Sequence, residues 1–197
     1  VINRYLDIEF EAATDESGAG PAFGPVVAAA VILPKDWTHT LINDSKKVSE
    51  KNREILYDII IRDAVAYSIQ EVSAEEIDVI NILQARFLAM DKAVNNLSIK
   101  PEHLIIDGNR FYKNYPIPYT CLVKGDANYT SIAAASILAK VYRDRLIGEL
   151  SKTYDKWELE RHKGYLTKIH IELIKQNGIS DLHRKTFCKN ITSSLVS

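Results

Sequence analysis

The stretch Ala13-Thr14-Asp15-Glu16-Ser17-Gly18-Ala19-Gly20-Pro21 places the tightest constraint on this chain. A strand-like run over residues 8–15 ends in adjacent carboxylates, and a Gly-x-Gly-Pro turn follows at once. Two neighbouring acids repel one another unless a cation neutralises them, and hard divalent ions such as Mg²⁺ take oxygen ligands. The glycines permit positive φ and close approach of another molecule to the backbone. N–H groups bared in such a turn can bind an anion such as phosphate. A strand that simply runs into a solvated polar turn is the plainer reading of these residues alone. Distant acids that converge on the same point would tip the balance towards a metal site.

At 197 residues the chain is expected to form one domain. The expected division is an α/β core over about 1–150, a helical extension over about 151–189 and a frayed tail over 190–197. No run approaches the roughly 18 apolar residues of a membrane span, and no basic segment followed by an apolar core suggests a signal peptide. The expectation is a cytoplasmic monomer without membrane contact. Cys121 and Cys188 show no Cys-x-x-Cys or Cys/His zinc spacing, and no disulfide is expected. The five histidines form no zinc set; His162 is the best functional candidate among them, with a structural role as the equal alternative. The net charge of −1 argues against nonspecific nucleic-acid binding. Its distribution is uneven: residues 1–139 carry 13 basic and 19 acidic side chains, and residues 140–189 carry 12 and 7. An acidic pocket beside a basic lobe suits a metal-dependent enzyme acting on a polyanion.

Residues 25–33 are a continuous apolar run that predicts a central strand, and residues 64–72 alternate as a third strand. The short links predict an antiparallel meander of the first three strands. Ser49 is a candidate N-cap for a helix over 50–62, with Ile55, Leu56, Ile59 and Ile60 on one face. Ser73 and Glu76 match a capping box, and a longer helix is expected over about 80–96. Residues 103–108 and 119–124 read as short strands, the first ending in Asp107-Gly108. Strand, helix and strand in this order predict a parallel crossover. Small residues over 132–140 predict a helix packed close to the sheet and continuing to about Lys152, and a further helix near 167–177 is stopped by Gly178.

Asp15 and Asp107 therefore end two strands, and Asp126 sits where a third gives way to a helix. In α/β sheets, sites form at the carboxyl ends of strands. Asp15, Glu16, Asp107 and Asp126 meeting at one point would raise one another's pKa unless divalent ions compensated them. Two such ions can activate a water and stabilise the leaving oxygen of an in-line phosphoryl displacement.

In these residues the chain resembles the ribonuclease HII (type 2 ribonuclease H) family. The resemblance rests on the 15–21 stretch, Phe23-Gly24-Pro25-Val26-Val27, Asn43-Asp44-Ser45-Lys46-Lys47-Val48-Ser49, Asn81-Ile82-Leu83-Gln84-Ala85 and Ile106-Asp107-Gly108-Asn109. It continues through Val123-Lys124-Gly125-Asp126-Ala127, residues 131–140, Arg143-Asp144-Arg145, His162-Lys163-Gly164-Tyr165 and His183-Arg184, in order from about residue 8 to 188. It implies a ribonuclease H-like fold: a central mixed five-stranded sheet flanked by helices, with a C-terminal helical extension. It also implies Mg²⁺- or Mn²⁺-dependent cleavage of the RNA strand of RNA–DNA hybrids, and nicking 5′ of ribonucleotides embedded in duplex DNA. The family's catalytic and metal-binding acids fall on Asp15, Glu16, Asp107 and Asp126.

The resemblance further implies substrate contacts at Gly18, Ala19, Gly20, Asn43, Ser45, Lys46, Lys47, Arg143, Tyr165 and Arg184. Hydroxyl, amide and ammonium groups in the 43–47 segment suit phosphate contacts. Tyr165 is the expected sensor of the ribonucleotide 2′-hydroxyl. Lys140 and Arg143 share a helix face, from which Arg145 points partly away. One position departs from the family pattern: Ala19 stands where the glycine turn normally carries an arginine. Losing a charge-assisted phosphate contact is worth roughly 1.5–3 kcal/mol, so weaker binding and relaxed junction preference are expected rather than lost chemistry. Two rival expectations remain: a hybrid-binding protein with impaired catalysis, and a nuclease with the substrate choice of the ribonuclease HIII family.

Overall fold

The computed structural model describes residues 4–193. Strands β1 (Glu11–Ser17), β2 (Val26–Ile32) and β3 (Ala66–Val72) form the expected antiparallel meander. Strands β4 (His103–Asp107) and β5 (Tyr119–Leu122) run parallel to β1 on its other side, giving the order β3-β2-β1-β4-β5. β1 is thus central. It starts and ends later than the sequence suggests, so Asp15 and Glu16 lie inside the ladder, opposite Ala29 and Ala28 of β2. Pairing on a central strand outweighs the low strand propensity of acidic residues. Thr14 pairs with Ile106, which sets Asp107 one residue further along β4, level with Asp15.

Side chains alternate between the two faces of the sheet. Ala12, Val26, Ala28 and Ala30 face helix α3 (Ile82–Asn95). Ala13, Val27, Ala29 and Val31 face α1 (Glu50–Asp63) and α5 (Thr130–Thr153), where buried Ala133, Ala134 and Ala135 let α5 come close. Ser49 caps α1 as expected, but Ile55 is exposed and Tyr57 joins Leu56 and Ile60 in the core instead. The predicted 80–96 helix is broken at Asn81. Residues up to Ile80 belong to α2 (Ala74–Ile80), opened by the Ser73–Glu76 capping box. Asn81 has φ 66°, and its Oδ1 accepts from the N–H groups of Leu83 and Gln84 to start α3. With ψ 162° this is extended positive-φ backbone that favours glycine, and the two bonds from Leu83 and Gln84 hold the asparagine there. α3 leads into β4, parallel to β1. No helix separates β4 from β5; residues 108–118 connect them, with Phe111 and Tyr112 packed edge-on against Phe87. β5 stops at Leu122, and left-handed Lys124 opens the short helix α4 (Gly125–Asn128).

After α5, two 3₁₀ turns, α6 (Lys168–Asn177) and α7 (Lys185–Ser193) build the extension around Phe23, Ile147, Trp157, Leu159, Ile174 and Cys188. Residues 190–193 continue α7 rather than starting a tail, and 194–197 lie outside the described residues. Asp78 of α2 accepts from the N–H groups of Lys185 (2.7 Å) and Thr186 (2.9 Å), which anchors the start of α7.

Three buried histidines stitch this lobe together. Nε2 of His162 donates to Trp157 O, and its Nδ1 accepts from the Gly164 N–H. Nδ1 of His170 donates to Tyr165 O, while Nδ1 of His183 accepts from the Ser180 N–H. These neighbours require His183 Nε2 to donate to His170 Nε2, 3.1 Å away, so all three rings are neutral. Among the described residues no helix is long and apolar enough to cross a membrane.

Candidate active site

Strand alternation separates the two adjacent acids. Asp15 shares its face of β1 with Ala13, towards α5, and Glu16 points the other way, towards α3. Asp15 is 6% exposed; its Oδ1 accepts from the Glu16 N–H at 2.7 Å, and the Ser136 hydroxyl of α5 stands near enough to favour its charged form. Burial, then the charges of Glu16 and Asp107, push its pKa well above the ordinary carboxylate value. Glu16 forms an ion pair with Arg86 of α3. Burial raises its pKa, with Asp107 adding to the rise and Arg86 opposing it. Asp107 Oδ1 accepts from the Gly125 N–H at 2.7 Å, which ties β4 to the start of α4. Asp126 is held in α4, and burial followed by Asp107 raises its pKa, while Lys46 opposes the rise.

All four acids line one cavity of about 290 Å³, shared with Gly18, Ala19, Gly20, Ser45, Lys46, Arg53, Ser136, Lys140 and Tyr165. Their oxygens are the hard donors that Mg²⁺ or Mn²⁺ prefers, and buried Glu16 Oε2 has no hydrogen-bond partner among the described residues. The donor set thus fits a divalent ion in chemistry. Among the described residues, however, no three acids, histidines or cysteines are gathered closely enough to hold one in this conformation. In this conformation Glu16 is paired with Arg86, and Asp107 accepts from the Gly125 N–H.

The expected substrate contacts divide. Gly18, Ala19, Gly20, Lys46 and Tyr165 face the cavity, and Tyr165 is 47% exposed. A Cβ on Gly20 would lie 3.2 Å from the Tyr165 ring, so that aromatic packs directly on the turn. Ser45 also lines the cavity but is buried, its hydroxyl 2.9 Å from that of Ser136. Asn43 and Lys47 are exposed and stand outside the cavity wall.

Arg143 and Arg184 lie behind the turn rather than in the cavity wall. They are 1% and 0% exposed, and both guanidiniums are spent on main-chain carbonyls. Arg143 donates to Pro25 O, Phe23 O and Lys163 O. Arg184 donates to Gly24 O, Ala19 O and Gly18 O at 2.7–3.1 Å. The physical reason is the turn itself: a loop buried under the extension has carbonyls that need donors, and arginine supplies several from one planar group. Gly18 has φ +91°, and a Cβ there would fall 2.1 Å from Arg143 Nε.

Sequence reasoning missed Arg86 and Ser136. An arginine on an amphipathic helix reads as a solvent-facing charge, and a serine among alanines reads as packing. The break at Asn81, where α2 ends and α3 begins, is the local signal that could have exposed Arg86.

A five-stranded mixed sheet of this order, with acids at the ends of two neighbouring parallel strands and helices on both faces, is the ribonuclease H-like fold. A ribonuclease H2 structure from Pyrococcus horikoshii superposes with a TM-score of 0.79 at 27% identity, covering 95% of this chain and 99% of that one. The sequence model described as Ribonuclease HII matches residues 12–190. A ribonuclease HII of Parabacteroides distasonis is 54% identical over 177 residues, 90% of this chain and 89% of the relative. One from Bacteroides thetaiotaomicron is 52% identical over 184 residues, 93% and 92% of the two chains. The chain belongs to the ribonuclease HII family and is a nuclease of the ribonuclease H type.

Proposed function

We propose that this nuclease hydrolyses the RNA strand of RNA–DNA hybrids and nicks duplex DNA 5′ of embedded ribonucleotides, with Asp15, Glu16, Asp107 and Asp126 holding Mg²⁺ or Mn²⁺. The observation that carries the reading is the convergence of these four acids on one cavity walled by the glycine turn, Lys46 and Tyr165. The ions, when bound, supply an activated water and charge stabilisation at the leaving oxygen.

The chain's own groups do the rest. The 18–20 turn offers backbone N–H groups to a phosphate, braced from behind by the Arg184 bonds to Gly18 O and Ala19 O. Lys46 adds a positive charge beside Asp126. Tyr165 is half-exposed over Gly20, and in this reading its ring stacks on a sugar or base and meets a 2′-hydroxyl. Ala19 adds no donor from its side chain, so the grip on the RNA–DNA junction is weaker than an arginine would give. The protein is expected to act as a cytoplasmic monomer.

The test compares wild type, Asp107→Asn and Ala19→Arg on a duplex with one ribonucleotide and on a long hybrid, with Mg²⁺ or Mn²⁺. Asp107→Asn should keep its circular-dichroism spectrum and lose at least about a hundredfold in nicking rate. Parental-rate cleavage by that variant would refute the site. Ala19→Arg should lower KM on the single-ribonucleotide duplex more than on the hybrid.

A further inference from the structure

Arg86 enters the acid cluster from the face of the sheet opposite α5. Its guanidinium pairs with Glu16, whose side chain is 9% exposed. No other acid among the described residues pairs with Arg86. Neither half of the pair is fully satisfied: Glu16 Oε2 and Arg86 Nε are both buried without a hydrogen-bond partner. Asp15 and Asp107 lie on the α5 side, so the Arg86 pair draws Glu16 away from them. A small cavity of about 80 Å³ beside Arg86, lined also by Leu83, Asp107, Asn109 and Arg110, gives the guanidinium room to withdraw.

We propose that Arg86 is a positioning residue: a built-in counter-ion that holds Glu16 towards α3 and must release it before a divalent cation can gather Glu16 with Asp15 and Asp107. The assignment rests on the reading of these acids as a metal site. A guanidinium and a divalent ion compete for one carboxylate, so Arg86 stabilises the metal-free fold and raises the cation concentration needed to load the site. It also explains why this conformation gathers no three ligands closely enough to bind an ion.

The experiment titrates wild type, Arg86→Met and Arg86→Lys with MnCl₂ by calorimetry and melts each protein in EDTA and in Mn²⁺. Arg86→Met keeps the length of the side chain and removes its charge. It should bind Mn²⁺ about tenfold more tightly, melt lower in EDTA and gain more melting temperature from Mn²⁺ than wild type does. Arg86→Lys, which keeps the charge but not the planar fork, should fall between them. Unchanged or weaker Mn²⁺ affinity in Arg86→Met overturns the assignment. If that variant does not fold, a lysine variant binding Mn²⁺ more weakly than wild type overturns it equally. A wild type that takes up no Mn²⁺ refutes the metal-site reading and this proposal together; normal wild-type uptake with an unmoved Arg86→Met affinity refutes Arg86 alone.

Discussion

Replacing Arg184 with methionine tests how the glycine turn is held. The side chain is fully buried and donates to Gly24 O at 3.0 Å, Ala19 O at 3.1 Å and Gly18 O at 2.7 Å. Methionine fills much of the same volume and donates nothing. Each carbonyl left unpaired away from water costs about 1–3 kcal/mol, and the Ala19 carbonyl, being partly buried, can recover a water. The contact of the guanidinium with the Phe187 ring, 5.1 Å from its centroid, adds about 1 kcal/mol to the loss. Against this, the substitution removes a buried cation that is repelled by Arg143 and has no acid bonded to it among the described residues, which offsets part of the penalty. The balance is a loss of about 3 kcal/mol, or roughly 6–12 °C in Tm for a chain of this size. Urea unfolding at pH 7.5 should show the midpoint falling with little change in slope. KM for a single-ribonucleotide duplex should rise, because the turn loses its brace. A loss below about 1 kcal/mol would refute the claim that these three bonds fix the turn.

Two further outcomes follow from the same region. Gly18→Ala should destabilise the fold by at least about 2 kcal/mol in urea unfolding, because a Cβ would strike Arg143 Nε and φ is +91°; a neutral result would mean that Arg143 moves freely. Burial, and then the neighbouring histidines, hold His170 at about 4 and His183 at about 3, below the ordinary value of 6.5. Between those limits the unfolded chain binds protons that the folded chain refuses. Their contribution is therefore fully present above pH 6.5 and is lost as pH falls through about 4 for His170 and about 3 for His183, with a limiting slope of about 2.7 kcal/mol per pH unit while both are being lost, between 6.5 and about 4. His183→Asn should show a shallower decline than wild type between pH 6.5 and 5, and identical slopes would show that these rings do not titrate as described.

Much of the architecture was legible because its signals are periodic or punctual. The apolar run of β2, the Ser49 cap, the Ser73 capping box and the Gly178 stop each specify one local outcome, and each is found. β1 was harder to bound: its last residues are acidic and look like a turn, and only pairing with both neighbours makes them strand. That the acids share a cavity could be anticipated from their places at strand ends. How Glu16 is oriented could not, since that depends on an arginine seventy residues away in sequence, Arg86. The burial of Arg143 and Arg184 was hidden for a related reason. A basic residue near a nucleic-acid motif reads as a phosphate contact, and nothing local reveals that a buried loop will claim its donors.

The bridge between Phe23 and His183, with the Arg184 N–H bonded to Ala22 O, has a consequence for how the protein is made. The bend beside the first acids is completed by a segment synthesised some hundred and sixty residues later. On the ribosome the sheet can pair while the far end of the chain is still unmade, but the bend is unbraced until residue 184 has emerged. A nascent chain stalled before that point already holds Asp15, Glu16, Asp107 and Asp126 and still lacks the strut behind Gly18 and Ala19, so the rim of the cavity is the last part of it to be completed.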